Sequence, residues 1–201
     1  MKKIDLLVTG VGGQGVVLAS DIIGETAIAA GYDVKKTDTL GMAQRGGSVV
    51  SHVRLAARVW SPLIMEGQAD LLLAFEKLEA ARWSHYLRPG GIAIVNIYEQ
   101  PPLSVSLGQE KYPAQDEIAA ALKRQTDQVY FVDGTEQAAK LGNVRTLNLY
   151  MLGCFAAFAP FDIETWKESV ARFLPENLRA INLTAFEKGR EEIEGVRIRK
   201  S

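Results

Sequence analysis

Residues 9–15, which read TGVGGQG, join two segments with different hydrophobic periods. The run before them, residues 4–8, is short, apolar and mostly branched, as in a buried strand. The segment after them carries small and apolar residues at helical spacing, and Gly31 stands where a left-handed residue would end a helix. These helix-spaced residues are Val16, Ala19, Ser20, Ile23, Ala27 and Ala30. The pattern therefore predicts a strand, a glycine turn and a helix.

This glycine turn is a candidate anion-binding site. The backbone amides of residues 12–16 would lie at a helix N-terminus, where hydrogen bonds and the helix dipole favour negative charge. Gly10, Gly12 and Gly15 also satisfy the dinucleotide-binding pattern G-x-G-x-x-G. A turn that binds no ligand stays open as the alternative, because a tight strand-to-helix turn uses glycine for positive φ in any case.

A dinucleotide site would also need an acidic side chain at the end of the second strand. That strand is predicted at residues 32–37, and Asp38 follows it. Asp38 could bind a ribose, but Lys35 and Lys36 indicate a phosphate as readily, or only a solvated edge. These residues leave the identity of a cofactor open.

The composition is that of a globular protein with one domain of ordinary size. The chain has 201 residues, of which 47% are hydrophobic and 23% are charged. The formal net charge of -1 argues against a nucleic-acid-binding surface, because no excess of Lys and Arg is present to neutralise phosphates. No apolar run is long enough to span a bilayer, and the N-terminus lacks the apolar core of a signal peptide. We therefore expect a cytoplasmic protein.

The single cysteine, Cys154, lies in an apolar helical context, where a thiol usually packs as a small hydrophobic group. One thiol cannot form an internal disulfide, and an iron–sulfur cluster is normally held by several thiolates. With only His52 and His85 available, a zinc site is also improbable. If this protein takes part in electron transfer, another chain carries the electrons.

A second loop with several glycines, residues 37–47, contains Gln44, Arg45 and Gly46. Long irregular loops inside compact domains are often functional. Arg45 is a candidate anion ligand, because a guanidinium can bind a carboxylate or phosphate through two hydrogen bonds. An interface or loop-bracing role for Arg45 is equally open.

Residues 48–55 alternate strictly between two faces, which is a strand period. A short turn at residues 56–57 and the segment 58–60 then predict a β-hairpin, antiparallel within an otherwise parallel sheet. His52 on this strand is expected to be a surface or semi-buried histidine rather than a base, because no acid or nucleophile stands near it in the sequence.

The rest of the chain alternates between predicted strands and helices. The elements are a strand at 70–75, a helix at 76–87 ended by residues 88–91, a strand at 92–97, a helix at 114–126, a strand at 129–133 and a short helix at 135–141. Residues 143–160 are almost continuously apolar and predict a helix buried on most sides. Two amphipathic segments follow, separated by Pro175.

These elements predict an α/β fold with three layers: a Rossmann-like mixed sheet, mostly parallel with an antiparallel hairpin, between helices, plus C-terminal helices. We expect one domain over residues 1–186, with its C-terminal helices beginning at about residue 143. Residues 187–201 are mostly charged and are expected to form a mobile tail.

The glycine turn and the second loop together resemble one protein family. Residues 9–15, 38–48 and 49–54 are similar, in this order and spacing, to the gamma domain of 2-oxoacid:ferredoxin oxidoreductases. The variant GMAQRGG at residues 41–47 most resembles the beta subunits of the indolepyruvate branch of that family. The similarity extends through residues 60–63, 70–75 and 87–96, and the chain has the length of a whole gamma-type subunit.

The resemblance implies oxidative decarboxylation of a 2-oxoacid by coenzyme A, giving an acyl-CoA, carbon dioxide and reduced ferredoxin. It implies indolepyruvate, with other aryl pyruvates, as the substrate. It also implies that a large alpha subunit carries thiamine diphosphate and the [4Fe–4S] clusters, so that this chain binds no cofactor by itself and is inactive alone. The partners would be that alpha subunit and, through the complex, ferredoxin.

Two roles are open for the glycine loops within such a complex. In the first, they form an anion-binding wall that receives the 2-oxoacid or a phosphate of coenzyme A; in the second, they only dock the alpha subunit. The candidate residues are Gly12, Gly13, Gln14, Gly15, Gln44, Arg45 and Gly46. No catalytic residue and no metal ligand is assigned to this chain.

A stand-alone NAD(P)-dependent dehydrogenase with a Rossmann-like start is the alternative from another class. It would need an acid on the second strand and a catalytic acid–base, for which the sequence offers only Asp38 and His52.

Overall fold

A computed structural model describes residues 1–40 and 46–200, apart from the side chains of Leu40, Arg199 and Lys200. The strands are β1 (Ile4–Val11), β2 (Asp33–Leu40), β3 (Ser48–Ala56), β4 (Ala69–Ala74), β5 (Leu87–Asn96) and β6 (Gln128–Val132). The helices are α1 (Val16–Ala29), α2 (Lys77–Trp83), α3 (Leu103–Ser106), α4 (Gln115–Lys123), α5 (Gly134–Lys140), α6 (Leu147–Ala156), α7 (Ile163–Phe173) and α8 (Glu176–Lys200). Short 3₁₀ turns occur at Ser84–Tyr86 and Val144–Thr146.

The strands form one sheet in the order β2-β3-β1-β4-β5-β6. Strands β1, β4, β5 and β6 are parallel, whereas β3 is antiparallel to both of its neighbours, β1 and β2. The predicted α/β fold with a mostly parallel mixed sheet is confirmed.

Helices cover both faces of the sheet because successive strand residues point to opposite sides. Leu6 and Val8 of β1 face the core built with α1 and α5 to α8, whereas Leu7 faces the core built with α2 and α4. All eight residues of β1 are buried. Each large apolar side chain buried in this way contributes about 1.5–3 kcal/mol.

The predicted hairpin between residues 48–55 and 58–60 is wrong. Strand β3 instead pairs with β2, which is longer than predicted and runs to Leu40. Asp33 lies opposite Ala56 and Leu40 opposite Val49, so the pairing extends along the whole of β2 and satisfies more backbone groups than a short second strand would. The segment after β3 is held differently: the amide of Val59 donates to the carboxylate of Asp33 at 2.8 Å.

The helix predicted at residues 76–87 ends earlier, at Trp83, and is followed by a 3₁₀ turn. Residues 88–91, expected to end the helix, lie within β5, which begins at Leu87. Leu87 is 1% exposed and pairs with Ala69, and the register shifts between Ala69 and Leu71. Burial of Leu87 beside β4 therefore favours a strand with a register irregularity over one more turn of helix.

The apolar run at residues 143–160 contains α6, whose ten residues, Leu147–Ala156, are all buried. The predicted buried helix is confirmed but is shorter than the run, because residues 144–146 form a 3₁₀ turn. Helix α8 covers it so closely that the two backbones are in contact. A Cβ on Gly153 would lie 1.9 Å from the carbonyl oxygen of Phe186, and one on Gly189 would lie 2.0 Å from that of Tyr150. The chain here is one helix, so the expected boundary at residue 187 falls inside α8; greater mobility beyond it stays a prediction.

Gly153→Ala is expected to lower the free energy of unfolding by about 3 kcal/mol. The added methyl group would clash with backbone atoms of α8, which cannot move to a different rotamer as a side chain could. Gly24→Ala in α1 is the matched control. Its Cβ would lie 3.6 Å from Val34 Cγ1, an ordinary contact, so it should change stability by no more than about 1 kcal/mol, in the stabilising direction. Urea unfolding followed by circular dichroism measures both, and equal effects would contradict the close helix contact.

Candidate functional site

A cleft of about 860 Å³ opens at the carboxyl ends of β1, β5 and β6. One wall is the glycine turn, residues 12–15, and another is the segment 143–148, which leads into α6. Leu174 and Leu178, at the junction of α7 and α8, line it with apolar surface. In open α/β sheets this is the edge at which ligands bind, so the position of the cleft makes it the candidate site.

The glycine turn reverses the chain through positive φ at Gly13 (105°) and Gly15 (85°). Gln14 bends back onto the end of β1, where its side-chain oxygen accepts a hydrogen bond from the Val11 amide at 2.8 Å. Gly15 is the N-cap of α1 and supplies no side-chain hydrogen bond, so the first amides of this helix keep their capacity to bind a ligand.

In the predicted anion-binding site at residues 12–16, some of the backbone amides already donate hydrogen bonds within the protein. The Gly12 amide donates to the Gly47 carbonyl oxygen at 2.8 Å, and the Gln14 amide donates to the Val11 carbonyl oxygen at 3.1 Å. These two amides are therefore already satisfied and need no anion. An anion could therefore be bound only by the remaining amides of the turn.

The same hydrogen bonds bring the two glycine loops together. Besides the contact from Gly12 to Gly47, the Gly46 amide donates to the Gly12 carbonyl oxygen at 3.4 Å. Ser48, at the start of β3, donates to the Glu79 carboxylate of α2 at 2.5 Å. The end of the second loop is thus fixed at two points, while the predicted site residues Gln44 and Arg45 lie outside the described residues.

Three polar residues of the cleft were not predicted from the sequence. Arg145 is exposed, lines the cleft and forms no ion pair within the described residues. Asn148 is 7% exposed and packs against Gly15, whose Cβ would lie 3.1 Å from the Asn148 side chain. The Asn148 side-chain oxygen accepts from the Leu149 amide at 2.9 Å, which leaves its NH₂ group without a partner among the described residues.

The third such residue, Thr135, is held by Asn96 at the end of β5. Asn96 is fully buried; its NH₂ group donates to the Thr135 hydroxyl oxygen at 2.8 Å, and its oxygen accepts from the Thr135 amide at 3.3 Å. The hydroxyl proton of Thr135 remains available to a ligand. Together with Arg145, Asn148 and the turn amides, it gives the cleft donors for an anion beside an apolar wall. A sequence signal existed, because residues 135 and 143–148 follow the carboxyl end of the last predicted strand.

Asp38, the candidate ribose ligand, lies away from this cleft. It accepts a hydrogen bond from the Ser51 hydroxyl at 2.6 Å and pairs with Lys36 at 2.9 Å. Lys35 pairs with Asp33 at 3.1 Å, so neither lysine is a free phosphate ligand. Strand β3 separates β2 from β1, whereas a dinucleotide fold places its second strand beside the first. The geometry required for a ribose at Asp38 is therefore not formed.

His52 is a satisfied core histidine and not a base. It is 5% exposed, its Nδ1 accepts from the Ile64 amide at 3.2 Å, and its ring meets Tyr86 edge to face. Burial lowers the pKa of His52 from its ordinary value, because the charged form would lose its hydration.

The donor atoms of the described residues do not fit an iron–sulfur cluster or a metal ion. Cys154 is fully buried in α6, and burial raises the pKa of its thiol, which disfavours the thiolate that a cluster needs. Within residues 1–40 and 46–200, no three His, Cys, Asp or Glu side chains are grouped so that they could hold a metal ion. Over the same residues, none of the helices has the length and apolar character required to span a membrane.

Comparison with known proteins identifies relatives along almost the whole chain. Residues 5–192 match the family described as pyruvate ferredoxin/flavodoxin oxidoreductase. The chain is 35% identical over 192 residues to the indolepyruvate oxidoreductase subunit IorB of Pyrococcus horikoshii, covering 94% of this chain and 95% of that protein. It is 39% identical over 189 residues to the subunit of the same name from Archaeoglobus fulgidus, covering 93% of this chain and 94% of that protein.

Two solved structures share the fold. The gamma subunit of a keto/oxoacid ferredoxin oxidoreductase from Geobacter sulfurreducens has a TM-score of 0.71 at 24% identity and covers 96% of this chain and 99% of its own. The 2-oxoglutarate:ferredoxin oxidoreductase of Magnetococcus marinus, solved with 2-oxoglutarate, coenzyme A and succinyl-CoA, has a TM-score of 0.74 at 20% identity. That match covers 97% of this chain and 32% of that chain, so the fold there forms part of a longer polypeptide.

The stability contributed by His52 is expected to fall as the pH decreases. The pKa of His52 is lower in the folded state than in the unfolded chain. Below about pH 6.5 the unfolded state therefore binds more protons than the folded state, and this lowers the free energy of unfolding. The stability advantage of the wild type over His52→Gln should therefore shrink between pH 7.5 and pH 5, by at most about 1.4 kcal/mol per pH unit. Urea unfolding at several pH values measures it.

The matched control for this series is His85→Gln, because the side chain of His85 is 47% exposed. This variant should not reproduce the effect expected for His52→Gln, because that effect arises from burial of the imidazole. An advantage of wild type over His52→Gln that stays constant down to pH 5 would contradict a buried, neutral His52.

Proposed function

We propose, from the premise that this chain belongs to the pyruvate ferredoxin/flavodoxin oxidoreductase family, that it is a subunit of an indolepyruvate ferredoxin oxidoreductase. The reaction would be oxidative decarboxylation of indolepyruvate or another aryl pyruvate with coenzyme A, giving the acyl-CoA and carbon dioxide. The observation that carries this proposal is identity of 35% and 39% along nearly the full length of two indolepyruvate oxidoreductase subunits.

The cofactors of the reaction are assigned to a partner. In this proposal a large alpha subunit carries thiamine diphosphate, which supplies the decarboxylation chemistry, and the [4Fe–4S] clusters, which pass electrons to ferredoxin. The donor set of this chain supports that division, because its single cysteine is buried within α6. This chain would then contribute binding and positioning.

Its contribution is placed in the cleft at the glycine turn. Coenzyme A has phosphate groups and a long flexible arm, and the Magnetococcus marinus protein of the same fold was solved with coenzyme A bound. Among the described residues, the cleft offers the Arg145 guanidinium without an acidic partner, the Asn148 NH₂ group without an acceptor and an apolar wall at Leu174. We assign the phosphates of coenzyme A, or the carboxylate of the oxoacid, to these donors and to Arg45 in the adjoining loop.

A docking role for the same edge is the second candidate, and a specific observation favours it. Val144, at the cleft, is 60% exposed, and Leu178 on the opposite wall is 36% exposed. Exposed apolar side chains beside a cleft are typical of surfaces that another protein covers. In that case the loops complete the interface with the alpha subunit and contact no small molecule.

The family assignment is tested by expressing this chain alone and together with an alpha subunit, anaerobically, and assaying the reduction of ferredoxin or a viologen dye with indolepyruvate and coenzyme A. Activity is expected only in the mixture. A chain that associates with no alpha subunit, yet binds NADH, would overturn the assignment and revive the dehydrogenase alternative.

Arg145→Gln in the assembled complex is expected to raise the KM for coenzyme A, or for the oxoacid, by about tenfold, because a charge-assisted hydrogen bond to an anion is lost. The maximal rate should change little, since no catalytic role is assigned to this side chain. Arg45→Ala should act in the same direction. Steady-state kinetics with each substrate varied in turn measures the effect.

Arg124→Gln is the matched control, because Arg124 is also an exposed arginine but lies at the end of α4, outside the cleft. It should leave both KM values unchanged. If Arg145→Gln and Arg45→Ala weaken assembly but show normal kinetics once the subunit is saturating, the docking role is correct and the ligand role is not.

A further inference from the structure

A second cavity lies at the opposite end of the sheet from the glycine cleft. It has a volume of about 360 Å³ and is bordered by the first residues of β1 and β4, by β5 and by the segment after α6. Its volume is at the lower end of the range for small-molecule sites. None of its lining residues belongs to the glycine cleft, so the two sites are separate.

The floor of this cavity is apolar and rigid. Phe155 is 1% exposed, Leu71 is 4% exposed and Ile4 is 8% exposed, so these side chains are fixed by the core on their other sides. Phe158 forms a side wall, and its ring packs on Tyr130 at a centroid distance of 5.3 Å. Two aromatic rings and branched aliphatic groups suit a flat apolar body.

Arg197, near the end of α8, is held in place over this floor. Its guanidinium lies 4.8 Å from the centroid of the Phe158 ring and donates one hydrogen bond to the Ala157 carbonyl oxygen at 2.6 Å. No carboxylate pairs with it within the described residues, and the guanidinium has several N–H groups left. A guanidinium that is positioned but has no acidic partner is pre-organised to bind an oxyanion.

The rim of the cavity carries an excess of positive charge. Its lining includes Lys2, Lys3, Arg88 and Arg197 but a single acid, Asp70. Asp70 is already engaged by Arg88 at 2.8 Å. Lys3 shares the buried Asp5 with Arg54, and Lys2 pairs with no acid in the described part of the chain. The uncompensated charge therefore lies at Lys2 and Arg197, above an apolar floor.

We propose that this cavity binds a small carboxylic acid with an aryl body, independently of the glycine cleft. The carboxylate accepts hydrogen bonds from the free N–H groups of Arg197, with Lys2 nearby as a second cation. The aryl group lies against Phe155 and Phe158. Both features are needed. A carboxylate without an apolar body would leave water on the apolar floor, and a neutral aryl group would leave the Arg197 guanidinium without an anion.

The test uses the full chain, titrated with phenylacetate, phenylacetamide and acetate, with binding followed by NMR chemical shifts. Phenylacetate is expected to bind with a Kd of about 1 mM or below, and the neutral amide and the smaller acid about tenfold more weakly. Arg197→Gln should weaken phenylacetate about tenfold and remove its advantage over phenylacetamide. Lys2→Gln, at an exposed position without an ion pair among the described residues, should weaken it a few-fold.

Arg124→Gln is the matched control, since it removes an exposed arginine that lines neither cavity, and it should leave phenylacetate binding unchanged. If Arg145→Gln weakens binding and Arg197→Gln does not, the acid is bound in the glycine cleft and this proposal is overturned. It is also overturned by equal affinity for the acid and the amide, or by no saturable binding up to about 20 mM. These outcomes do not depend on the alpha subunit, so they stand apart from those that test the proposed function.

Discussion

The structure depends on the antiparallel pairing of β1 with β3, which continues beyond the ends of both strands. Val11 lies opposite Ser48, and the next hydrogen bonds join Gly12 to Gly46 and Gly47. Because β1 is buried along its whole length, it presents only its glycine end to the cleft. A Cβ on Gly10 would lie within 2.9 Å of three neighbouring side chains, so this approach requires glycine.

Reversal of β3 relative to β1 also gives the two ends of the sheet different chemistry. At the carboxyl end, β3 begins where β1 ends, so both glycine loops meet there beside Arg145 and Thr135. At the amino end, apolar side chains of the strands line a cavity between the end of α6 and Arg197. Backbone and amide donors dominate the first site, and charged side chains above aromatic rings dominate the second.

Elements could be predicted from the sequence where the hydrophobic period of the element itself identifies it. The prediction failed where strand pairing or burial depends on residues that are distant in the chain. The strand, turn and helix around residues 9–15 and the buried helix α6 follow from hydrophobic periodicity. Alternation identified residues 48–55 as a strand but could not identify its partners, because β1 and β2 are chosen by long-range contacts. The boundary expected at residue 187 falls inside α8, because Gly189 packs on the backbone of Tyr150, a contact that hydropathy does not register. Arg145 was missed because only the tertiary fold brings it to the turn.

The central position of β1 has a consequence for the order in which the protein can fold during synthesis. Strand β1 is an interior strand of the sheet, and both of its neighbours, β3 and β4, are made after it. Until β4 has emerged, an apolar strand with at least one unpaired edge is present on the nascent chain, a state prone to aggregation. Helix α8, which covers α6, follows it in the chain after α7. The α6 surface that α8 covers therefore stays open until α8 has been made, which prolongs the exposure of apolar surface on the nascent chain.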